Sequence, residues 1–219
     1  TWDHTQTWRN ALPEEDHPTT WVADRAVEWL RAVDGPFFGW VSFTDPHHPM
    51  DPPAPWCDRY SAEDALQSLP EVHPDEFEGK PPFHKVMSEG LRGRALEWAN
   101  PGGATLTRAE LARMTAGYYG MVAQLDHAVG RVLDVLEERG LADDTLVILT
   151  TDHGLAFPGA KATLTDRGIG VLLIMRGPGG FHGGRGAEAL VSQIDLYPTI
   201  CELIGVEAPG FLQGRPILP

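Results

Sequence analysis

The apolar residues of this chain recur at helical spacing in three stretches. Residues 18–33 form the first stretch and residues 192–204 the last. The longest, residues 107–140, opens with a capping box made by Thr107 and Glu110 and closes at a glycine. Its apolar positions are Leu111, Met114, Tyr118, Val122, Leu125, Val129, Val132 and Leu136. The pattern predicts three helices, and the middle one is long.

Three shorter apolar runs show little alternation between polar and apolar positions. They are residues 37–43 (Phe-Phe-Gly-Trp-Val-Ser-Phe), 145–151 (Thr-Leu-Val-Ile-Leu-Thr-Thr) and 170–176 (Gly-Val-Leu-Leu-Ile-Met-Arg). Such runs are typical of strands that are covered on both faces, as in a parallel sheet. Strands that alternate with helices predict an α/β fold, a mixed and mostly parallel sheet sandwiched by helices, with ligands outside the carboxyl ends of the strands.

Length and composition indicate a globular chain with one core. At 219 residues and 42% hydrophobic composition, one domain over residues 1–219 is the default. Residues from about 50 to 105 are rich in proline, glycine and acidic side chains without a sustained period, which predicts an excursion of loops and short helices.

Charge and cysteine content exclude several classes of partner. Seventeen basic against 31 acidic residues give a net charge of −14, which argues against a nucleic-acid-binding surface, so any anion site needs a local positive pocket. Cys57 and Cys201 follow no metal-ligand spacing and are expected to be free thiols. No run approaches the ~20 apolar residues that cross a bilayer, so we expect a soluble protein of undetermined compartment, with no membrane partner.

Polar side chains that can carry chemistry follow two of the expected strands directly. Asp45, His47 and His48 come after the first strand, and Asp152 and His153 come after the second. If these strands are parallel, both clusters face one crevice at the carboxyl edge of the sheet.

Asp152 and His153 form half of a possible metal shell. We expect Gly154 to let the backbone turn sharply, so that the carboxylate and the imidazole converge on one point. Carboxylate oxygens suit Ca²⁺ or Mg²⁺, whereas imidazole is more usual for Mn²⁺, Zn²⁺ or iron, so the pair alone leaves the ion open. The alternative is that Asp152 caps the loop and His153 is a hydrogen-bonded structural residue.

His47 and Lys161 each have a structural and a functional interpretation. The Pro-His-His-Pro segment around His47 can simply fix a rigid turn, or His47 can be a general acid that protonates a leaving oxygen. Lys161 can be an ordinary solvated lysine, or it can neutralise a tetrahedral oxyanion over the same crevice.

Together these motifs resemble the type I sulfatases of the alkaline phosphatase superfamily. Residues 36–53 (PFFGWVSFTDPHHPMDPP) look like the strand and Pro-His-x-Pro loop of that family, and residues 146–154 (LVILTTDHG) look like its metal-ligand strand. Residues 118–126 (YYGMVAQLD) and 192–200 (SQIDLYPTI) are similar to further family signatures in the same order. The resemblance spans nearly the whole chain and implies an alkaline phosphatase-like fold.

The resemblance implies roles for specific residues. Asp152 and His153 would ligate a divalent ion, most often Ca²⁺ in this family, with Mg²⁺ and Mn²⁺ as alternatives. His47 would bind substrate and protonate the departing oxygen, and Lys161 would hold a sulfate oxygen. We assign His48, beside His47, to the same substrate-binding group.

The resemblance also bears on the substrate. Residues 157–161 (Phe-Pro-Gly-Ala-Lys) resemble the sulfamidase-like branch, which favours a sulfated sugar, another sulfated small molecule, or an N-sulfate. The closest rival function is a phosphonate monoester or phosphodiester hydrolase, because some of those relatives share a histidine at the position of His153.

One family feature is absent from this chain. Sulfatases carry a Cys-x-Pro-x-Arg type motif that matures to formylglycine, whereas Cys57 precedes Asp-Arg-Tyr and Cys201 precedes Glu-Leu-Ile. The family order places the nucleophile and a pair of aspartates before residue 1, and a smaller subdomain after residue 219. We therefore expect the later part of a sulfatase catalytic domain, a fragment that needs its N-terminal segment and by itself is inactive. A non-catalytic folded fragment is the remaining alternative.

Overall fold

The computed structural model describes residues 5–71, 75–89, 106–157, 160–161 and 163–218. Within these limits the chain forms two compact units. The first comprises the described residues of Thr1–Glu138 and Thr151–Val171, and the second those of Arg139–Thr150 and Leu172–Pro219. The helices and strands, in chain order, are α1 (Pro18–Ala32), α2 (Ala62–Ser68), α3 (Pro82–Glu89), α4 (Arg108–Glu138), β1 (Val147–Thr150), α5 (Asp166–Ile169), β2 (Leu173–Arg176) and α6 (Leu196–Leu203). Short 3₁₀ turns lie at Glu14–Asp16, Trp56–Asp58, Ala142–Asp144 and Gln193–Asp195.

The three helices predicted from apolar periodicity are confirmed as α1, α4 and α6. The expected capping box at the start of α4 forms, since the Thr107 backbone N–H donates to the Glu110 carboxylate over 2.7 Å and the Glu110 N–H donates back to the Thr107 hydroxyl over 3.2 Å. The excursion after residue 50 contains the short helices α2 and α3, as predicted, and part of it lies outside the described residues.

The core of the first unit is built around α4, which packs against α1, α2 and the 3₁₀ turn at Trp56–Asp58. The most buried positions of α4 include small or polar residues in place of several of the predicted large ones. They are Ala112, Met114, Thr115, Gly120, Met121, Gln124, Ala128, Val135 and Leu136. Small side chains let the neighbouring backbone approach this helix closely.

The approach is closest at two glycines of α4. A Cβ atom on Gly120 would lie 2.7 Å from the Trp56 carbonyl oxygen and 2.9 Å from Cγ of Pro52. One turn earlier, a Cβ atom on Gly117 would lie 3.2 Å from the Met50 carbonyl oxygen. The backbone that follows the predicted site loop therefore lies directly on α4.

The strand predicted over residues 37–43 does not form within the described residues. The segment has no regular secondary structure, and several of its apolar side chains are exposed, with Phe38 at 70% and Trp40 at 79%. Together with Trp21 and Trp29 of α1 they line a groove of about 490 Å³. An apolar run predicts burial, but a strand also needs a hydrogen-bonding partner, which the run itself does not specify.

The second unit contains the strand pair β1 and β2. The two strands pair antiparallel, with Val147 opposite Arg176 and Thr150 opposite Leu173. Both are shorter than the apolar runs that predicted them. An antiparallel pair is compatible with the mixed sheet that the sequence predicts, although an apolar run covered on both faces does not encode strand direction.

The carboxyl-terminal segment of the second unit is fixed to the start of α6. The Asp195 carboxylate accepts hydrogen bonds from the backbone N–H groups of Ser192 and Arg215, both over 2.8 Å, and these bonds lower the pKa of Asp195. The Ile217 N–H donates to the Thr199 hydroxyl over 2.9 Å.

The two cysteines of the chain form no disulfide. Cys57 is half-buried and Cys201 is buried, and both are free thiols, as predicted. Among the described helices, none combines the length and the apolar character that a membrane span requires.

The close contact at Gly120 predicts a large difference between two glycines of the same helix. Gly120→Ala is expected to lower the free energy of unfolding by about 1–3 kcal/mol, because the new methyl group meets the Trp56 backbone. Gly130→Ala, where a Cβ atom would meet nothing within 4 Å, is expected to raise it by up to about 1 kcal/mol through helix propensity. Urea denaturation of both variants measures the difference, and equal effects would contradict this packing.

Candidate active site

His47 and Lys161, which are 114 positions apart, are in direct contact. The Lys161 Nζ lies 2.9 Å from Nε2 of His47, and Nδ1 of the same ring lies 2.6 Å from the His48 carbonyl oxygen. A carbonyl oxygen can only accept, so Nδ1 carries a proton and donates it. An ammonium group can only donate, so Nε2 accepts. The contacts thus fit a neutral His47 with its lone pair directed at Lys161.

His48 packs behind this pair. Its ring stacks on that of His47 with centroids 4.2 Å apart. Burial lowers the pKa of His48 to about 4, and the neighbouring charges of His47 and Lys161 act in the same direction. Its Nδ1 is buried without a hydrogen-bond partner in the described part of the chain. His48 therefore contributes a neutral ring to the site, and its assignment to substrate binding stays a prediction.

The segment that carries Lys161 is anchored on α4. The Phe157 ring packs edge-on against Tyr118 of that helix, with centroids 5.1 Å apart. The Ala160 backbone N–H donates to the Phe157 carbonyl over 3.1 Å, and the Thr163 hydroxyl donates to the Ala160 carbonyl over 2.7 Å. Ala160 and Thr163 are buried, which fixes the backbone on both sides of the half-exposed Lys161.

The loop that carries His47 is anchored at both ends. At its start, the His47 N–H donates to the Thr44 carbonyl over 3.1 Å and closes a turn. Inside this turn the Asp45 carboxylate accepts a 2.6 Å hydrogen bond from the Thr19 hydroxyl. At its end, the fully buried Met50 donates its N–H to the carbonyl of Gln6 over 2.7 Å.

A group of buried and half-buried polar side chains lies behind this loop. His17 Nδ1 accepts a hydrogen bond from the Thr19 backbone N–H over 3.3 Å, so its 3.9 Å contact with Asp45 is not an ion pair through that nitrogen. Burial lowers the pKa of His17 and raises that of Asp45. Burial, followed by the charge of Asp45, raises the pKa of Asp51 to about 6, although Asn10 donates to its carboxylate over 2.8 Å.

Asp152 and His153 converge, as their sequence predicts. His153 Nε2 lies 3.7 Å from the Asp152 carboxylate, and His153 Nδ1 lies 2.8 Å from the Gly154 carbonyl oxygen. Because Nδ1 must donate to that carbonyl, Nε2 is the ring nitrogen that faces the carboxylate. A carboxylate oxygen and an imidazole nitrogen are both common metal ligands, so the donor set suits a divalent metal.

The glycine after this pair is needed for a reason other than the sharp backbone turn that we expect from the sequence. A Cβ atom on Gly154 would lie 2.1 Å from the Arg167 carbonyl oxygen, and the Gly154 N–H donates to the Gly168 carbonyl over 2.9 Å. Gly154 is thus required by close contact with another backbone segment, and its φ is not in the left-handed region.

The described residues supply only part of a metal shell. Among them, no group of three or more His, Cys, Asp or Glu side chains is arranged to hold an ion. The structure brings His47 to Lys161 and Asp152 to His153; that both pairs open onto one pocket stays a prediction.

Sequence reasoning missed the partners of Asp45. The polar run His17-Pro18-Thr19 marks the start of a helix, and His17 does cap α1 there. The hydrogen bond from Thr19 to Asp45 joins positions 26 apart, and no local pattern indicates such a contact.

The chain is similar to known proteins over most of its length. The sulfatase family model matches residues 2–206. The chain is 33% identical over 215 residues to the multifunctional alkaline phosphatase superfamily protein PehA of Trinickia caryophylli, covering 95% of the chain and 42% of that relative. It is 30% identical over 200 residues to human N-sulphoglucosamine sulphohydrolase, covering 85% of the chain and 36% of that relative.

A solved structure with the same fold is that of the phosphonate monoester hydrolase from Silicibacter pomeroyi. It superposes with a TM-score of 0.76 at 26% identity, over 98% of this chain and 46% of that one. The chain thus spans less than half the length of these relatives. The expected alkaline phosphatase-like α/β fold is confirmed, and by its family match over residues 2–206 the chain belongs to the sulfatase family.

Proposed function

We propose that the whole protein hydrolyses sulfuric esters or sulfamates of small molecules, with a sulfated sugar as the favoured substrate. The observation that carries the proposal is the 2.9 Å contact between Lys161 and His47, which joins a cation to a proton-transfer group. The likeness to N-sulphoglucosamine sulphohydrolase supports the sugar and the N-sulfate. The net charge of −14 argues against a nucleic acid as partner.

Lys161 and His47 have complementary roles in this proposal. The Lys161 ammonium binds a sulfate oxygen and offsets its charge, and His47 protonates the departing oxygen from Nε2. His47 Nε2 accepts a hydrogen bond from Lys161, so it must gain a proton before it can act as an acid. Solvent is the source of that proton, because a Lys161 that gave up its own proton would lose the charge that its proposed role requires.

The nucleophile in this proposal is a formylglycine, which neither cysteine of the chain supplies. Burial, followed by the charge of Asp58, raises the pKa of the Cys57 thiol, and this disfavours a reactive thiolate. Cys201 is buried, and neither cysteine stands in the required motif. We infer that another part of the protein provides the nucleophile and that the 219-residue chain alone is inactive.

Asp152 and His153 are the residues that would hold the divalent ion. Their carboxylate oxygen and free Nε2 are suitable ligands, and Ca²⁺ is our first choice, with Mg²⁺ and Mn²⁺ as alternatives. Such an ion supplies Lewis-acid polarisation of the substrate's oxygens. The remaining ligands have to come from outside this pair.

A second candidate function is hydrolysis of phosphonate monoesters or phosphodiesters. It is favoured by the superposition on the phosphonate monoester hydrolase at a TM-score of 0.76 and by the imidazole at position 153. Rates for 4-nitrophenyl sulfate and 4-nitrophenyl phenylphosphonate, measured with one preparation, separate the two functions. A strong preference for the phosphonate would replace our first choice.

Removal of either member of the contacting pair tests the proposed roles. His47→Ala is expected to lower kcat by about 10²–10⁴-fold through loss of the general acid. Lys161→Ala is expected to lower it by about 10²–10³-fold through loss of charge stabilisation. Lys80→Ala, which removes an exposed lysine, is the matched control and should leave turnover unchanged. Steady-state hydrolysis of an aryl sulfate by the whole protein is the assay, and unchanged turnover in the first two variants would refute the roles.

Removal of the two metal ligands should reduce the bound metal. Asp152→Ala and His153→Ala each take one donor from the ion, and we expect at least a tenfold weaker affinity for Ca²⁺. Asp134→Ala removes an exposed carboxylate from α4 and serves as the control. Metal content after dialysis against buffered Ca²⁺, measured by mass spectrometry, reports the loss. Equal metal content in all three variants would contradict the assignment.

His48 should remain neutral throughout the working range of the site. Its pKa is lowered from 6.5 to about 4, so between these values the unfolded chain binds a proton on His48 that the folded chain does not. Its contribution to stability therefore rises with pH across this window and is lost as pH falls through it. Proton NMR titration, with the resonance assigned by its absence in His48→Gln, should give a midpoint near 4. A midpoint at the ordinary value would contradict the burial of this ring.

A further inference from the structure

Asp45 is a largely buried carboxylate that, among the described residues, accepts a side-chain hydrogen bond from Thr19 of the neighbouring helix α1. Its side chain is 10% exposed and accepts the Thr19 hydroxyl over 2.6 Å. His17, with a side chain 4% exposed, lies beside it but uses Nδ1 to accept the Thr19 backbone N–H. Thr19 thus donates two hydrogen bonds at once. Its backbone N–H donates to His17, and its hydroxyl donates to Asp45.

This hydrogen bond acts on the turn that presents His47. Asp45 occupies a central position of the turn closed by the His47 N–H and the Thr44 carbonyl, which are 3.1 Å apart. The next fixed point is Met50, which pairs with Gln6 and Trp8 through backbone hydrogen bonds of 2.7 and 3.2 Å. The side chain of His47 is exposed and lies between the two fixed points, so the position of its ring depends on the backbone on either side.

We propose that Asp45, held by the Thr19 hydroxyl beside His17, is a positioning residue that sets the His47 imidazole against Lys161. The proposal rests on the proposed function, since the group that it positions is the general acid. Without the Thr19 hydroxyl, the carboxylate would be buried and unpaired, and it would move towards solvent. The turn would move with it and carry His47 away from the 2.9 Å contact.

A matched set of substitutions isolates this one hydrogen bond in the whole protein. Thr19→Val keeps the shape of the side chain and the backbone N–H that caps onto His17, but it removes the hydroxyl. Thr19→Ser restores the hydroxyl. Asp45→Ala removes the carboxylate itself and tests the same anchor even if the unpaired charge prevents Thr19→Val from folding. Thr20→Val, on the same turn of α1, is the control.

The kinetic readout is how strongly the loss of kcat depends on the basicity of the leaving group. A misplaced general acid matters most when the departing oxygen is basic, so Thr19→Val and Asp45→Ala should lower kcat for phenyl sulfate about 10²-fold. For 4-nitrophenyl sulfate, whose leaving group needs little protonation, the loss should stay below about tenfold. Thr19→Ser and Thr20→Val should behave as wild type. Equal losses on both esters would indicate a merely structural role and overturn the proposal.

A structural readout decides the proposal without reference to activity. In crystal structures of Thr19→Val or Asp45→Ala, the His47 Nε2 and Lys161 Nζ should separate beyond hydrogen-bond distance, while Thr19→Ser should keep them at about the observed 2.9 Å. An unmoved His47 in the first two variants would overturn the positioning role. A wild-type protein that cleaves neither sulfate nor phosphonate esters would instead defeat the proposed function, and the crystallographic result would still test the anchor.

Discussion

The close approach of backbone to α4 is the constraint on which the candidate site depends. The segment after the His47 loop lies so near Gly117 and Gly120 that a methyl group at Gly120 would meet the Trp56 backbone at 2.7 Å. Tyr118, between these glycines in sequence, packs against Phe157 at the start of the Lys161 segment. One stretch of a single helix therefore supports both loops of the site. Interiors are packed closely enough that such contacts define position to fractions of an ångström.

The two candidate histidines are oriented by the same physical device. His47 and His153 each direct Nδ1 at the carbonyl oxygen of the following residue, over 2.6 and 2.8 Å. This contact selects the tautomer in which Nε2 is free to face a partner. That partner is Lys161 for His47 and the Asp152 carboxylate for His153. Both rings thus present the same nitrogen to the chemistry that we propose.

The electrostatics of the site differ from those of the chain as a whole. The chain carries a net charge of −14, yet the His47 contact is made by a cation, and the carboxylates behind it are partly buried. Burial raises the pKa of Asp45, and it raises that of Asp51 to about 6, so the negative charge of Asp51 is weakened at mildly acidic pH. His48 adds a ring that stays neutral above about pH 4. In the function that we propose, the substrate's anionic group is therefore bound mainly by Lys161.

The sequence by itself determined the local features of this protein. Apolar periodicity located α1, α4 and α6, and the capping box located the start of α4, because helix formation depends on residues three or four positions apart. The motifs around His47 and Asp152 likewise indicated the family, which the match over residues 2–206 shows.

Tertiary structure alone decided the contacts between distant positions. The antiparallel direction of β1 and β2 depends on which strand each one pairs with. Residues 37–43 form no strand among the described residues, because a strand likewise needs a partner. The resemblance gives His47 and Lys161 roles at one substrate, but their contact across 114 positions and the Thr19 bond to Asp45 have no local signal in the sequence. Such contacts arise because burial and packing bring together groups whose separation along the chain carries no periodic pattern.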